Sequence, residues 1–299
     1  MIVPVVTPFD ADERVDHRAL GAIVDHMIDA GADFVMGTAL TGEGPLLSVD
    51  ETTSIWSTIA THARGRAGFV PAVITYRTST AIALVRAAVE LGADAVMVTP
   101  IVPELYAGRS ESDVRGFYAE VAAAVSIPLV LFNYPSLTSV DFTPTFVHSL
   151  SSIDAIGYIK ESTGDSKRVH AIHRLCGDRV KVICGNPNAA FESLALGCDT
   201  WITGIMNAAP RSARRMMRLI LNDRDLAAAR DIYYRHLLPL VDLMARNSNP
   251  TGTIKAAMRA RGLPAGIPRR PGSDVSAADA SELREWARVV GEDERRAES

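Results

Sequence analysis

Three stretches of the chain share one pattern. "AGADFVMGT" from Ala30, "LGADAVMVTP" from Leu91 and "LGCDTWITG" from Leu196 each set a glycine, then an acidic residue, then an apolar run of strand length. An amphipathic stretch precedes each: "LGAIVDHMIDAG", "STAIALVRAAVELG" and "NAAFESLALG". Glycine ends a helix by taking the left-handed conformation at its C-terminus. The apolar runs do not alternate cleanly with polar residues, which is the pattern of strands covered on both faces. Helix, glycine and buried strand in repetition predict parallel βα units. Extending the pattern predicts eight strands, at 2–6, 33–38, 69–75, 94–99, 128–133, 155–160, 179–184 and 199–204. Eight such units match an α/β fold of the (β/α)8 barrel class. No GxGxxG follows the first strand, which weighs against a dinucleotide-binding sheet.

From Asp223 onward the pattern is helical only. "DLAAARDIYYRHLLPLVDLMAR" reads as one amphipathic helix, "TGTIKAAMRARG" as a second ended by glycine, and "SAADASELREWARVVGEDERR" as a third capped by serine. The expected division is a barrel over 1–222 and a C-terminal helical segment over 223–299, with the final "EDERRAES" solvated and loose.

Composition narrows the function. The chain has 299 residues, 47% hydrophobic and 22% charged, with a formal net charge of -4 and no Lys/Arg block. That suits a large globular domain and excludes nucleic acid as an expected partner. No apolar run approaches the ~20 residues of a membrane span. The opening "MIVPVVTPFD" lacks the basic lead of a signal peptide and reads as a first strand stopped by proline. Cys176, Cys184 and Cys198 are odd in number and form no CxxC, so they read as buried small hydrophobes in a reducing cytoplasm. His170 and His173 lie three apart without a third ligand, and no metal or cofactor is expected. Ser, His and Asp do not converge at strand ends in a triad-like order.

In a barrel of this class, chemistry sits at the C-terminal ends of the strands. Among those ends, "YIKESTG" supplies the only lysine, Lys160. Strand alternation puts Ile156, Tyr158 and Lys160 on one side. Facing inward, Lys160 would lose its proton in a dry setting and attack a ketone to form a Schiff base. Facing outward, it would lie along a helix with its ammonium in water. Spacing alone leaves both open. "TGEG", Thr41 to Gly44, is a glycine-flanked turn whose amides and Thr41 hydroxyl could bind a carboxylate. It could equally be an ordinary loop before a helix with the capping box "SVDE" at Ser48.

Taken together, "VTPF", "GTALTGEGPLLSVDE", "LGADAVMVTP", "LFNYPSLTS", "IGYIKESTG", "CGNPNAAFESLALG" and "NPTGTIKAAMRARG" resemble the dihydrodipicolinate synthase/N-acetylneuraminate lyase family over nearly the whole chain. The resemblance implies a barrel with three C-terminal helices and a homotetramer built as a dimer of dimers. It implies a pyruvate or other 2-oxo acid substrate held as an imine on Lys160, with no cofactor. Thr41 aligns with a threonine that holds the substrate carboxylate, flanked by Leu40 and Gly42, and Gly185 and Ile205 align with positions lining the imine pocket. The chain also departs from the family pattern. Phe132 stands where "YNxP" carries a proton-shuttling tyrosine, and a phenyl ring cannot move a proton. Leu40 and Ile101 or Val102 stand at the other relay positions. Leu137 replaces the arginine that receives the synthase's second substrate. These departures point to a Schiff-base lyase or aldolase other than the synthase itself. The alternatives are a family dehydratase or hydratase-aldolase, or a 2-oxo acid binding or regulatory protein without turnover.

A replacement phenol could come from Tyr76, Tyr134 or Tyr158, in that order of preference, with Tyr134 and Tyr158 level. Each could instead fill space with its hydroxyl satisfied locally. Arg77 could receive a distal carboxylate or simply stand in solvent. Lys255, in "GTIKAAM", reads as structural.

Overall fold

The computed structural model describes residues 1–75, 77–100, 110–135 and 140–298. They form two compact units, residues 1–68 with 203–299, and residues 69–202.

In the first unit, strand β1 (Ile2–Pro4) pairs in parallel with β2 (Phe34–Met36). Two helices follow these strands. His17–Asp29 starts on Asp16, whose carboxylate accepts from Ala19 N at 2.9 Å, and gives way to Gly31 at φ +96. It buries Leu20, Ile23, Val24 and Met27. Val49–Ala63 carries the capping box foreseen at Ser48, closed by Glu51. At Gly31, after the first of these helices, the positive φ is one that glycine reaches without a Cβ clash. The side chain of Asn207 ties β1 to the turn Gly204–Asn207, donating to Pro4 O and accepting from Val6 N.

The C-terminal helices also belong to this unit. Leu226–Ile232 and Leu238–Arg246 are joined by a wider π-helical turn, Tyr233–Leu237. Pro239 has no N–H to give the preceding turn, and widening there keeps its ring clear of the backbone. Pro250–Ala260 and Ala277–Glu298 follow. Ser276 caps the last helix, accepting from Asp279 N at 3.1 Å. The terminal "EDERRAES" differs from expectation, being helical through Glu298. Glu294 is buried, accepts from Ser212 and pairs with Arg261 at 2.5 Å, so charge pairing holds a segment whose composition suggests solvent.

The second unit carries a six-stranded sheet in which each strand lies beside its neighbour in sequence. Numbered on from β3 (Gly68–Phe69) at the junction, its strands are β4 (Ala72–Thr75), β5 (Val96–Pro100), β6 (Leu129–Asn133), β7 (Ile156–Glu161), β8 (Lys181–Cys184) and β9 (Thr200–Trp201). All of its pairings are parallel. Helices Thr78–Glu90, Glu111–Ala122, Pro144–Leu150, Lys167–Cys176 and Ala190–Ala195 separate them. Gly92 and Gly197 have φ of +82 and +106 after their helices, as the repeated phrase requires. Val96, Val98, Leu129, Leu131 and Ile159 are fully buried, in keeping with strands covered on both faces. The strand expected over 69–75 is interrupted because Pro71 cannot donate to a ladder, although its carbonyl accepts from Met97 N. Among the described residues, no helix is long and apolar enough to cross a membrane.

Candidate active site

The carboxyl ends of β6, β7 and β8 are held in register by two backbone hydrogen bonds beyond the ladder. Ser162 N donates to Asn133 O at 2.9 Å, and Gly185 N donates to Glu161 O at 2.7 Å. Phe132 lies opposite Lys160 and Asn133 opposite Glu161. Alternation then sends two adjacent charges to opposite faces. Glu161 accepts from Asn133 Nδ2 at 2.8 Å and from Thr163 N at 2.7 Å. Asn133 in turn accepts from Phe142 N, and its amide also donates to Asp141, which Arg168 grips through two 2.6 Å bonds. Glu161 is therefore satisfied behind the strand and does not neutralise its neighbour.

Lys160 is 9% exposed, and its Nζ stands 4.2 Å from the centroid of the Phe132 ring. Among the described residues no hydrogen bond or ion pair holds that nitrogen. Burial pulls its pKa from 10.5 down to about 8. About a tenth of the side chain is then neutral at pH 7. The thiol of Cys184, near Lys160 on the adjoining strand, is pushed up to about 12 by burial, so it stays protonated and offers no counter-ion.

Gly185 gives the lysine stem its room. A Cβ there would stand 2.0 Å from Ser162 Oγ, 2.9 Å from Lys160 Cγ and 3.0 Å from Glu161 O. Tyr134 follows on the same side, its ring 6.1 Å from that of Phe132 and 39% exposed. Lys160, Phe132, Tyr134 and Gly185 are thus brought together. Tyr158 is not. It is 36% exposed and lies beside Lys181, Asp154 and the 125–128 segment, in a cavity whose lining does not include Lys160. Two residues along a strand are roughly 6.6 Å, so sharing Lys160's face did not bring the phenol to its height.

In the other unit, Leu40–Gly42 and Gly44–Leu46 are short 3-10 turns joined at Glu43, whose φ is +56. The first amides of such a turn have no partner within it. Thr7 Oγ1 donates to Gly42 O at 2.7 Å, and a Cβ on Gly42 would stand 3.1 Å from Val5 O. Gly44 admits none, since its Cβ would fall 2.0 Å from Thr38 O. Thr41 packs on Gly204, where an added Cβ would meet Thr41 Oγ1 at 2.8 Å and Ile254 Cδ1 at 2.6 Å. Ile205, the next residue, is fully buried. Thr41, Leu40, Gly42 and Ile205 therefore share one neighbourhood.

Sequence reasoning passed over Glu43, whose carboxylate lies 2.5 Å from Lys255 Nζ and accepts from Arg269 N at 2.8 Å. It also passed over Asn133, Glu161 and Ser162. A buried acid inside "TGEG" and another inside "IKESTG" were the available signals, since carboxylates are rarely buried unless paired. Arg77, His170 and His173 are exposed, and the three cysteines are free and buried. Tyr76, Ile101, Val102 and Leu137 lie outside the described residues.

Comparison with known proteins carries the reading from site to family. A model of the Dihydrodipicolinate synthetase family matches residues 1–289. The 4-hydroxy-tetrahydrodipicolinate synthase of Pseudomonas aeruginosa is 33% identical over 292 residues, covering 97% of each chain. Among solved structures, the chloride-inhibited dihydrodipicolinate synthase of Acinetobacter baumannii, complexed with pyruvate, aligns with a TM-score of 0.89 at 28% identity, over 97% of this chain and 98% of that one. YagE, a prophage protein of the same family from E. coli K12 in complex with pyruvate, aligns with a TM-score of 0.89 at 26% identity and the same coverage. A likeness of this extent, on top of the parallel βα order, establishes the α/β (β/α)8 barrel class. The chain belongs to the dihydrodipicolinate synthetase family of lyase-type enzymes.

Proposed function

We propose that this chain is a Schiff-base-forming lyase acting on pyruvate or a related 2-oxo acid, with Lys160 as nucleophile. One observation carries the reading: a buried lysine at a strand's carboxyl end, with a pKa of about 8 and no carboxylate among the described residues to hold it. The pyruvate bound by two relatives supports the substrate class. The neutral amine adds to the C2 carbonyl, and loss of water leaves an iminium. That cation draws electrons from the bond beside it: either a C3 proton passes to a base, or, in a 2-oxo acid bearing a C4 hydroxyl, the base takes the hydroxyl proton and C4 leaves as an aldehyde, and both routes leave an enamine. Reprotonation and addition of water return the amine and the product. The family resemblance assigns the substrate carboxylate to Thr41 with the amides around Leu40 and Gly42, and the imine pocket to Phe132, Gly185 and Ile205. Tyr134 moves the proton; Tyr76 is the other phenol the sequence offers, and Tyr158 lies in a separate cavity. By the sequence pattern the barrel covers 1–222 and a C-terminal helical segment 223–299, and the family resemblance implies four chains assembled as a dimer of dimers.

Incubation with pyruvate followed by borohydride should add one reduced pyruvyl group, mapped by mass to the peptide containing Lys160. Adduct formed in timed quenches should rise about tenfold per pH unit below 8 and level above it, as the neutral amine accumulates. An unmodified protein, or a label on another lysine, rejects the reading.

Turnover can be followed without knowing the natural partner, because enamine formation exchanges the methyl protons of pyruvate with deuterium. Tyr134→Phe is expected to slow that exchange about 10²-fold or more while leaving the trapped adduct intact, the usual contribution of a general acid–base group. An unchanged rate by NMR would give the proton to another carrier. Phe132, buried beside Lys160 and lacking a hydroxyl, favours a second reading in which the pocket binds without turnover. Adduct with no exchange and no cleavage would establish that one.

A further inference from the structure

Two lysines of this chain are deeply buried, and they are held in opposite ways. Lys160 faces a ring and, among the described residues, no carboxylate. Lys255, on the helix Pro250–Ala260, is wholly buried with every direction filled. Its Nζ pairs with Glu43 at 2.5 Å, donates to Ile267 O at 2.7 Å and stands 4.5 Å from the centroid of the Phe9 ring. Burial draws its pKa down to about 8 as well, but Glu43, Ile267 O and the Phe9 ring occupy the space around Nζ from which a ketone would have to approach, so Lys255 is no rival nucleophile.

Its partner occupies a particular place. Glu43 is the left-handed residue between the two 3-10 turns, a conformation that L-residues other than Asn and Asp seldom adopt. Its side chain is anchored twice, by Lys255 and by the backbone of Arg269. Arg269 is itself tied to both oxygens of Glu51 and to the carbonyls of Leu46 and Glu13. These contacts fix the point where the Leu40–Gly42 turn ends. Thr41 and Ile254 both pack against Gly204, and Ile254 directly precedes Lys255. The helix that carries the ammonium thus also packs on the glycine against which the threonine rests.

We propose that Lys255 is a positioning residue: it holds Glu43, Glu43 holds the Leu40–Gly42 turn, and the carboxylate-binding hydroxyl of Thr41 is set by that chain of contacts. The inference rests on the reading of this turn as the 2-oxo acid's carboxylate site. Apolar residues of similar volume would serve stability as well as a buried ion pair. What they would not supply is a charge-paired hold on Glu43.

The test compares Lys255→Met, Glu43→Gln and the double variant in the pyruvate exchange assay, with circular dichroism to establish folding. The expected result is a KM for pyruvate raised about 10- to 100-fold, because uniform binding is lost. At saturation kcat should stay within about threefold, and the borohydride adduct should remain on Lys160. The double variant should resemble the single ones, since both act through one link. Either single variant leaves a charge buried without its partner and could fail to fold; the double variant removes both charges and keeps the test open. Folded variants with the wild-type KM overturn the proposal, as does a fall in kcat at unchanged KM. Failure of the double variant to fold also overturns it, assigning the pair to stability alone. If the wild-type protein forms no adduct with pyruvate, the Schiff-base reading falls by itself. A crystal structure of the double variant then decides the positioning claim: Thr41 Oγ1 displaced by about 1 Å or more upholds it, and an unmoved hydroxyl refutes it.

Discussion

Lys160→Met removes pyruvate exchange and borohydride trapping by more than about 10⁴-fold and makes the protein more stable at neutral pH. The loss follows from chemistry, since no other described lysine joins burial to the absence of a carboxylate. The gain follows from linkage. The folded protein holds this amine at about 8, below the 10.5 of an unfolded chain. Below pH 8 both states are protonated, and the folded state bears the full cost of burying the charge. Between 8 and 10.5 the unfolded state binds more protons, so wild-type stability rises with pH. The whole difference is about 3 kcal/mol, less the ~0.5–2 kcal/mol that the Phe132 ring returns to the ammonium. Methionine fills a similar volume without a charge. Urea unfolding at pH 7 should therefore show a net gain of about 1–3 kcal/mol, and the advantage should shrink by pH 10.5. A variant less stable than wild type at pH 7, or one that keeps exchange activity, contradicts this account.

Gly185→Ala should damage both the rate and the stability of the site. Its new methyl would meet three groups, and they yield unequally. Ser162 Oγ, 2.0 Å away, can rotate, whereas Lys160 Cγ at 2.9 Å and the carbonyl of Glu161 at 3.0 Å belong to a strand stapled on both sides. Relief must come from moving Lys160. Overpacking of this kind costs about 1–3 kcal/mol. Displacing a nucleophile by about 1 Å lowers the rate some 10²-fold. Adding Ser162→Ala should restore part of the stability and little of the rate, because it clears the hydroxyl and leaves the backbone contact. Full recovery of exchange in the double variant would show that only the serine was in the way.

Much of this architecture was legible because glycine and burial write strong signals. Gly31, Gly92 and Gly197 each follow a helix with positive φ, and the runs after them are buried strands. The strand end bearing Lys160 was legible too, but its facing was not. Parity assigns a side chain to one of two faces and cannot say which is dry. The paired strand supplies that answer, by setting Phe132 opposite Lys160. Parity also misleads about height, which is why Tyr158 shares a face with Lys160 and opens onto another cavity. The terminal 292–299 segment and Lys255 fail for a different reason. Their environment is made by residues far away in sequence, Ser212 and Arg261 for Glu294, and Glu43 for Lys255. A charged stretch read alone looks solvated until its distant counter-charges are known.

The phenyl face beneath the reactive nitrogen has an effect of its own on the proposed cycle. An aromatic face attracts cations. Ammonium and iminium carry the same charge on the same atom, so Phe132 stabilises the resting enzyme and the loaded enzyme alike. The uncharged carbinolamine that separates them gains nothing from the ring, and passage through it becomes the high ground in both directions. Loading and unloading are slowed together, and the covalent state is long-lived once formed. Occupancy itself is unchanged, because both charged states gain equally; the ring sets how slowly a guest is exchanged, and so how long it is held for a second reactant.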